Sequence, residues 1–206
     1  GVPVMAHVGL TPQAVNVLGG YNARGRSQQE HEKIIGDGPA VEPAGAFAAV
    51  IEDLARRHGR FDMLVNNAFS NSYGAIADLS LEQWRRDFAV NADAVFAGTK
   101  AAMAVMAGQG GGAIVNVAST NALLAAARMA SYSASKAALI HFTSVAAMEG
   151  APLGIRVNTI VPGMVMTRAT EDYMRYSGEA AVRTVDAIPM ARAGRPEELA
   201  EAIVFM

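Results

Sequence analysis

The sequence predicts an α/β protein built on a parallel sheet with helices on both faces. Three observations carry this. Apolar, largely β-branched runs of strand length occur at residues 61–65, 113–117 and 155–160. Helix-length stretches separate them. Each run leads into turn-forming residues: Asn66-Asn67, Ser119 and Pro162-Gly163. Strands that are apolar on both sides and joined by helical crossovers belong in a parallel sheet buried between layers.

Taken in order, the elements begin irregularly. Residues 7–13 follow a short strand, and Gly19-Gly20 and Gly25 punctuate a polar stretch. Residues 28–44 suit a helix, while 46–51 read as a strand or as the continuation of that helix, which periodicity alone does not decide. Residues 81–106 have the length and spacing of a helix, with Trp84, Phe88 and Val95 on its inner face. Gly110-Gly111-Gly112 is a turn, and residues 131–148 form another helix. Residues 164–190, rich in Met, Ala and Arg without a clear period, read as a mobile segment over the strand ends. Pro196, with Glu197 and Glu198 behind it, opens a last helix, since proline and acids suit a helix's first turn.

Composition narrows the function classes. A chain of 206 residues, 51% hydrophobic and 17% charged, has enough apolar material for one sizeable core. Its formal charge of -2 and pI near 6.1 give no electrostatic reason to bind nucleic acid or an anionic membrane. No apolar run approaches the roughly 18 residues of a membrane span. Gly1-Val2-Pro3-Val4 is not the start of a signal peptide. The absence of cysteine removes disulfide and thiolate chemistry and is compatible with a cytoplasmic protein. No metal site is expected. The first residue is not Met, which points to a fragment or a processed chain.

Chemistry concentrates at Tyr132 and Lys136, a phenol and an ammonium at i and i+4 on one helix face. A free tyrosine, with a pKa of about 10, is a poor base at neutral pH. A lysine charge one turn away favours phenolate and is expected to move the group toward a working range. Ser119 ends the preceding strand, Asn66-Asn67-Ala68 ends an earlier one, and Asn91 lies in the helix between them. Each has a structural alternative. Ser119 can cap a turn, Asn91 can be a satisfied helix-interior amide, Asn66-Asn67 a strand-end turn, and Thr167 a helix cap. Lys100 and Arg85-Arg86 read as solvated surface, His141 as structural, and Met164, Met166 and Met174 as packing.

In this order and spacing, residues 54–206 resemble a short-chain dehydrogenase/reductase. The matching pieces are Asn66-Asn67-Ala68, Asn91, Ser119, Tyr132/Lys136, Asn158, Pro162-Gly163 and Thr167. The resemblance implies a Rossmann-like fold and NAD(P)-dependent hydride transfer between nicotinamide and a secondary alcohol or ketone. Tyr132 would be the acid/base and Ser119 would hold the substrate oxygen. Lys136 would tune Tyr132 and bind the nicotinamide ribose, and Asn91 would hold a water on the proton path. Asn66, Ala68, Tyr132, Lys136, Pro162, Gly163 and Thr167 would line the cofactor. Phe69 departs from the family's usual glycine and places a bulky ring near that site. Family members are usually dimers or tetramers through the helices bearing Asn91 and Tyr132.

The beginning departs further. The family's T-G-x-x-x-G-x-G turn, whose glycines let the backbone approach a pyrophosphate, has no counterpart in residues 1–65. The choice between NAD and NADP is therefore not legible. Residues 1–52 instead resemble an internal segment of ketopantoate hydroxymethyltransferase, a (β/α) barrel enzyme. The carrying strings are Pro3-Val4-Met5-Ala6-His7-Val8-Gly9-Leu10-Thr11-Pro12-Gln13, Leu18-Gly19-Gly20-Tyr21 and Ala44-Gly45-Ala46-Phe47-Ala48. His7 matches that family's substrate histidine, and Glu52 stands where its catalytic base would. Its metal-binding aspartates and its lysine have no match, and a strand-end histidine without a job is the structural alternative for His7.

The expectation is thus a chimera. A barrel-derived βα segment over 1–52 replaces the first cofactor-binding βαβ unit, a dehydrogenase core covers 53–206, and the family's last strand is missing. Residues 41–58 fit either side of the junction. An inactive or engineered chimera lacking cofactor binding and a hydroxymethyltransferase-related fragment remain as alternatives to an active oxidoreductase.

Overall fold

The computed structural model describes residues 5–8, 42–177 and 179–206. Four parallel strands form one sheet in the order β1 (Met5–Val8), β2 (Met63–Asn66), β3 (Gly112–Val117) and β4 (Ile155–Ile160). The register aligns Ala6 with Leu64, Leu64 with Ile114, and Ile114 with Val157. Leu64, Ile114 and Val157 therefore share a face. Val65 and Val115 lie on the opposite face and are buried as well. Both faces of β2 and β3 are covered, as their uninterrupted apolar character requires.

Three helices pack on the Leu64 face. They are α1 (Glu42–His58), α3 (Ala94–Gly108) and α4 (Ala130–Gly150). Ile51 from α1, Ala101, Ala102 and Met106 from α3, and Ala146 from α4 close over Phe61, Leu64, Ile114, Ile155 and Val157. Residues 46–51 thus belong to a helix rather than a strand. α1 runs unbroken through position 52.

The helix expected over 81–106 is interrupted. It begins as α2 (Leu81–Phe88), where Ser80 and Gln83 form a reciprocal cap, and passes through a π turn at Ala89–Asp93 before continuing as α3. One extra residue per turn re-aims the helix face, and such turns are frequent at functional sites. Asn91 lies at the middle of this one. Trp84 and Phe88 stack at 4.9 Å, half-buried, while Val95 is buried in a second cluster with Ala118 and Leu139.

Residues 164–190, read from the sequence as a mobile segment without a clear period, include regular structure. They contain α5 (Arg168–Ser177) and α6 (Glu179–Asp186), and α7 (Pro196–Phe205) follows. The excursion is tied at its base, where Gly194 N donates to Met164 O (2.9 Å) and Met166 N to Gly194 O (2.8 Å). Arg192 forks onto Glu198 at 2.9 and 2.7 Å, and Glu198 accepts from Arg195 N at 2.7 Å. These contacts hold the Glu198 carboxyl down at about 2, the Arg192 hydrogen bond being the largest influence. Among the described residues no helix is long and apolar enough to cross a membrane.

The glycine turn before β3 is required by close approach. Gly111 has φ 133, and a Cβ there would fall inside the contact distance of the Gly154 carbonyl. Gly111→Ala is expected to destabilise the chain by about 1–3 kcal/mol, read as a lower urea midpoint with unchanged slope. An unchanged midpoint would mean that the turn relaxes freely.

Candidate active site

The carboxyl ends of the strands, where open α/β sheets bind ligands, gather most of the expected residues. Ser119 lies two residues beyond the end of β3 in an extended conformation (φ -164, ψ 152), and its Oγ accepts from Asn121 N at 3.2 Å. It therefore does cap a turn, and its hydroxyl also hydrogen-bonds the Tyr132 phenol. Tyr132 and Lys136 lie one turn apart near the start of α4. Lys136 is buried; its Nζ donates to Val117 O at 2.6 Å and lies 6.0 Å from the Tyr132 ring centroid.

Electrostatics here differ from the sequence expectation. Burial pushes the Tyr132 phenol above its ordinary range, and the Ser119 hydrogen bond only partly opposes this. Lys136 is lowered to about 8, because burial disfavours its ammonium. Lys136, its ammonium held on a carbonyl, is not among the influences that lower the phenol, so burial prevails at Tyr132.

Asn91 is fully buried and closely held. Its Oδ1 accepts from Ser70 N (2.8 Å), and its Nδ2 donates to Ser70 O (2.8 Å) and Ser135 Oγ (2.9 Å). Both amide protons are used, so a water at Asn91 would be held through a remaining oxygen lone pair or the main-chain carbonyl. Asn66 is also buried. Its Nδ2 donates to Asn116 Oδ1 (2.8 Å), whose own amide donates to Thr143 Oγ1 (2.9 Å). The Asn66 side chain thus joins β2 to β3 beneath the helices, and a ligand contact there would use other atoms. Ala68 is half-buried.

On the β4 side, Pro162 O accepts from Thr120 N (2.9 Å). Gly163 is exposed, and a Cβ there would only graze Thr120 Cγ2 at 3.9 Å. Thr167 is exposed and serves as a helix cap, with Thr170 N reaching its Oγ1 at 3.4 Å. His7 pairs with Val65 within β1, and Glu52 is exposed on α1. Residues 9–41, including Gly19-Gly20 and Gly25, lie outside the described residues. Lys100, Arg85, Arg86 and His141 are exposed.

Three residues of the neighbourhood escape sequence reasoning: Asp87, Ser131 and Ser135, all buried. The available signal was spacing. Asp87 is one turn before Asn91, and a serine directly precedes both Tyr132 and Lys136. Phe69, by contrast, was noticed; its ring meets Tyr132 edge-on at 6.1 Å.

The described residues fit the nicotinamide-ribose end of a dinucleotide. A buried ammonium carries more donors than the Val117 carbonyl uses, and a ribose diol supplies acceptors of the matching kind. Thr159 Oγ1, buried and without a partner, lies in β4 level with Asn116. Among the described residues no group of three or more His, Cys, Asp or Glu could hold a metal ion.

A family model described as enoyl-(acyl carrier protein) reductase matches residues 40–206, and one described as ketopantoate hydroxymethyltransferase matches residues 1–60. An uncharacterized oxidoreductase from Thermotoga maritima is 38% identical over 76% of this chain and 63% of its own length. A cyclopentanol dehydrogenase from Comamonas is 34% identical over 78% of this chain and 64% of its own. The chain thus spans under two thirds of the length of these relatives. Among solved structures, NAD+-bound xylitol dehydrogenase superposes with a TM-score of 0.72 at 28% identity, covering 79% of this chain and 68% of that one.

The parallel sheet and its helical layers define a Rossmann-type α/β fold. The chain belongs to the short-chain dehydrogenase/reductase family. Its first residues are similar to ketopantoate hydroxymethyltransferase, and the two matches overlap across α1.

Proposed function

We propose that this chain is an NAD(P)-dependent oxidoreductase interconverting a secondary alcohol and a ketone, with Tyr132 as its acid/base. One observation carries the reading: a half-buried phenol hydrogen-bonded to Ser119, with a buried ammonium one turn along, at the carboxyl end of β3. Support for the substrate class comes from relatives named for cyclopentanol and 2-(S)-hydroxypropyl-CoM. Solved relatives hold NAD+ in one case and NADP in another. The cofactor would supply the hydride acceptor or donor.

The chain's own residues would do the rest. Ser119 holds the substrate oxygen against the Tyr132 phenol. Tyr132 takes the hydroxyl proton in oxidation and returns it in reduction. Lys136 binds the ribose hydroxyls, and Asn91 keeps the π turn and the first turns of α4 in register for the proton's exit. Ala68, Pro162, Gly163 and Thr167 border the cofactor, and Asn66 supports that border from below. The same reading divides the chain near residue 52, with α1 shared by both parts. Assembly as a dimer or tetramer through α3 and α4 belongs to it too, since Phe96, Val145 and Met148 are exposed there.

A second reading, a folded chain without cofactor binding, is favoured by one feature. The residues after β1, Gly9-Leu10-Thr11-Pro12-Gln13, lack the glycine turn. Titrating NADH and NADPH while following Trp84 fluorescence separates the two. Saturable quenching by either nucleotide is expected, and a linear response to both would sink the oxidoreductase reading.

A further inference from the structure

Asp87 has no role in the chemistry above, yet it is among the most enclosed charged groups of the described residues, at 0% exposure. No salt bridge to it occurs among those residues. Neutral donors surround its carboxylate instead: Ser70 Oγ (2.6 Å), Ser72 Oγ (3.1 Å), Ser72 N (2.8 Å) and Ser131 Oγ at short range. Burial opposes ionisation, but these donors together outweigh it and hold the carboxyl below its ordinary range.

The position of the donors is what matters. Ser131 directly precedes Tyr132. Ser70 directly follows Phe69, whose ring meets Tyr132. Ser70 is also gripped by Asn91, which donates to Ser135, and Ser135 Oγ donates to Tyr132 O at 2.9 Å and directly precedes Lys136. A single buried carboxylate thus ties α2, the loop after β2 and the first turn of α4 into one network. Every hydroxyl in that network except Ser72 sits one residue from Phe69, Tyr132 or Lys136.

We propose that Asp87 is a positioning residue for the proton-transfer pair. Through Ser131 it pins the first turn of α4, and through Ser70 and Ser72 it pins the loop behind Phe69, which fixes the Tyr132 phenol between Ser119 and Lys136. The inference deepens the oxidoreductase reading and rests on it for its catalytic meaning. A merely structural carboxylate would support stability without setting the place of the Tyr132 ring.

The test uses the full chain with 13C-labelled tyrosine and phenylalanine, Tyr132 being assigned by its loss in Tyr132→Phe. Ser131→Ala and Asp87→Ala are expected to lose the Phe69–Tyr132 ring cross-peaks and to move the Tyr132 Cζ resonance. Asp87→Asn, which keeps the shape and one acceptor oxygen, is expected to retain the cross-peaks. Ile155→Val serves as a control that lowers stability in the core and leaves both signals in place. Should Asp87→Ala fail to fold, Ser131→Ala carries the test, because it removes one hydroxyl only. Wild-type cross-peaks and Cζ shift in folded Ser131→Ala would overturn the proposal. These signals need no nucleotide, so failure to bind NADH would sink the functional reading and not this one.

Discussion

Tyr132→Phe is expected to lower turnover of secondary alcohols by about 10²–10⁴-fold, the range typical of a lost general acid/base. Nucleotide affinity should hardly change. The substitution removes one hydroxyl and keeps the ring that Phe69 contacts. The size of the effect follows from the environment. Among the described residues the Ser119 hydroxyl favours the ionised phenol, and burial works more strongly against it. Without the phenol oxygen, Ser119 could still hold a substrate oxygen but has no proton acceptor behind it. Turnover measured with cyclopentanol and other small secondary alcohols, at saturating NAD+ or NADP+, checks this. If Tyr132→Phe retained most of the wild-type rate, Tyr132 would not be the acid/base.

How much of this was legible in the sequence depends on how local the determinants are. Strands β2 and β3 could be read because each is a run of residues largely buried on both faces, and β4 because its apolar residues Ile155 and Val157 recur on one face beside an exposed Arg156. The helix bearing Tyr132 and Lys136 could be read because i, i+4 spacing is a property of one segment. The π turn was invisible, since a single extra residue hardly disturbs helical periodicity while moving Asn91 relative to its neighbours. Helices α5 and α6 were missed for another reason. Each spans ten residues or fewer, too few turns for a period to stand out in the sequence, although both are amphipathic once folded. Asp87 was missed because its donors come from distant segments, and a carboxylate's neighbours are known only after folding. Direction of charge effects was also beyond reach. Spacing alone says that Lys136 stabilises phenolate, whereas burial of the phenol itself outweighs this and raises it.

That enclosure makes stability depend on pH in a way that can be measured without any substrate. Lys136 titrates at about 8 when folded, against 10.5 ordinarily. Between those values the unfolded chain binds the proton that the folded chain has released. Raising pH through this window therefore favours folding. The full difference corresponds to about 3 kcal/mol, present above the unfolded pKa and lost as pH falls through the folded one. Tyr132 acts oppositely: its folded pKa is raised above 10.0, so unfolding becomes easier beyond that pH. Urea denaturation from pH 7.5 to 10 should thus show wild-type stability rising toward the upper end of the range. Lys136→Met should lack this rise, since it has no proton to release; parallel curves would mean that the ammonium stays charged in the folded chain. A bound nucleotide changes the expectation in a definite direction. Acceptor oxygens brought to Lys136 favour its charged form, raise its pKa and flatten the slope, so the same titration with saturating NADH reports whether Lys136 meets the ribose.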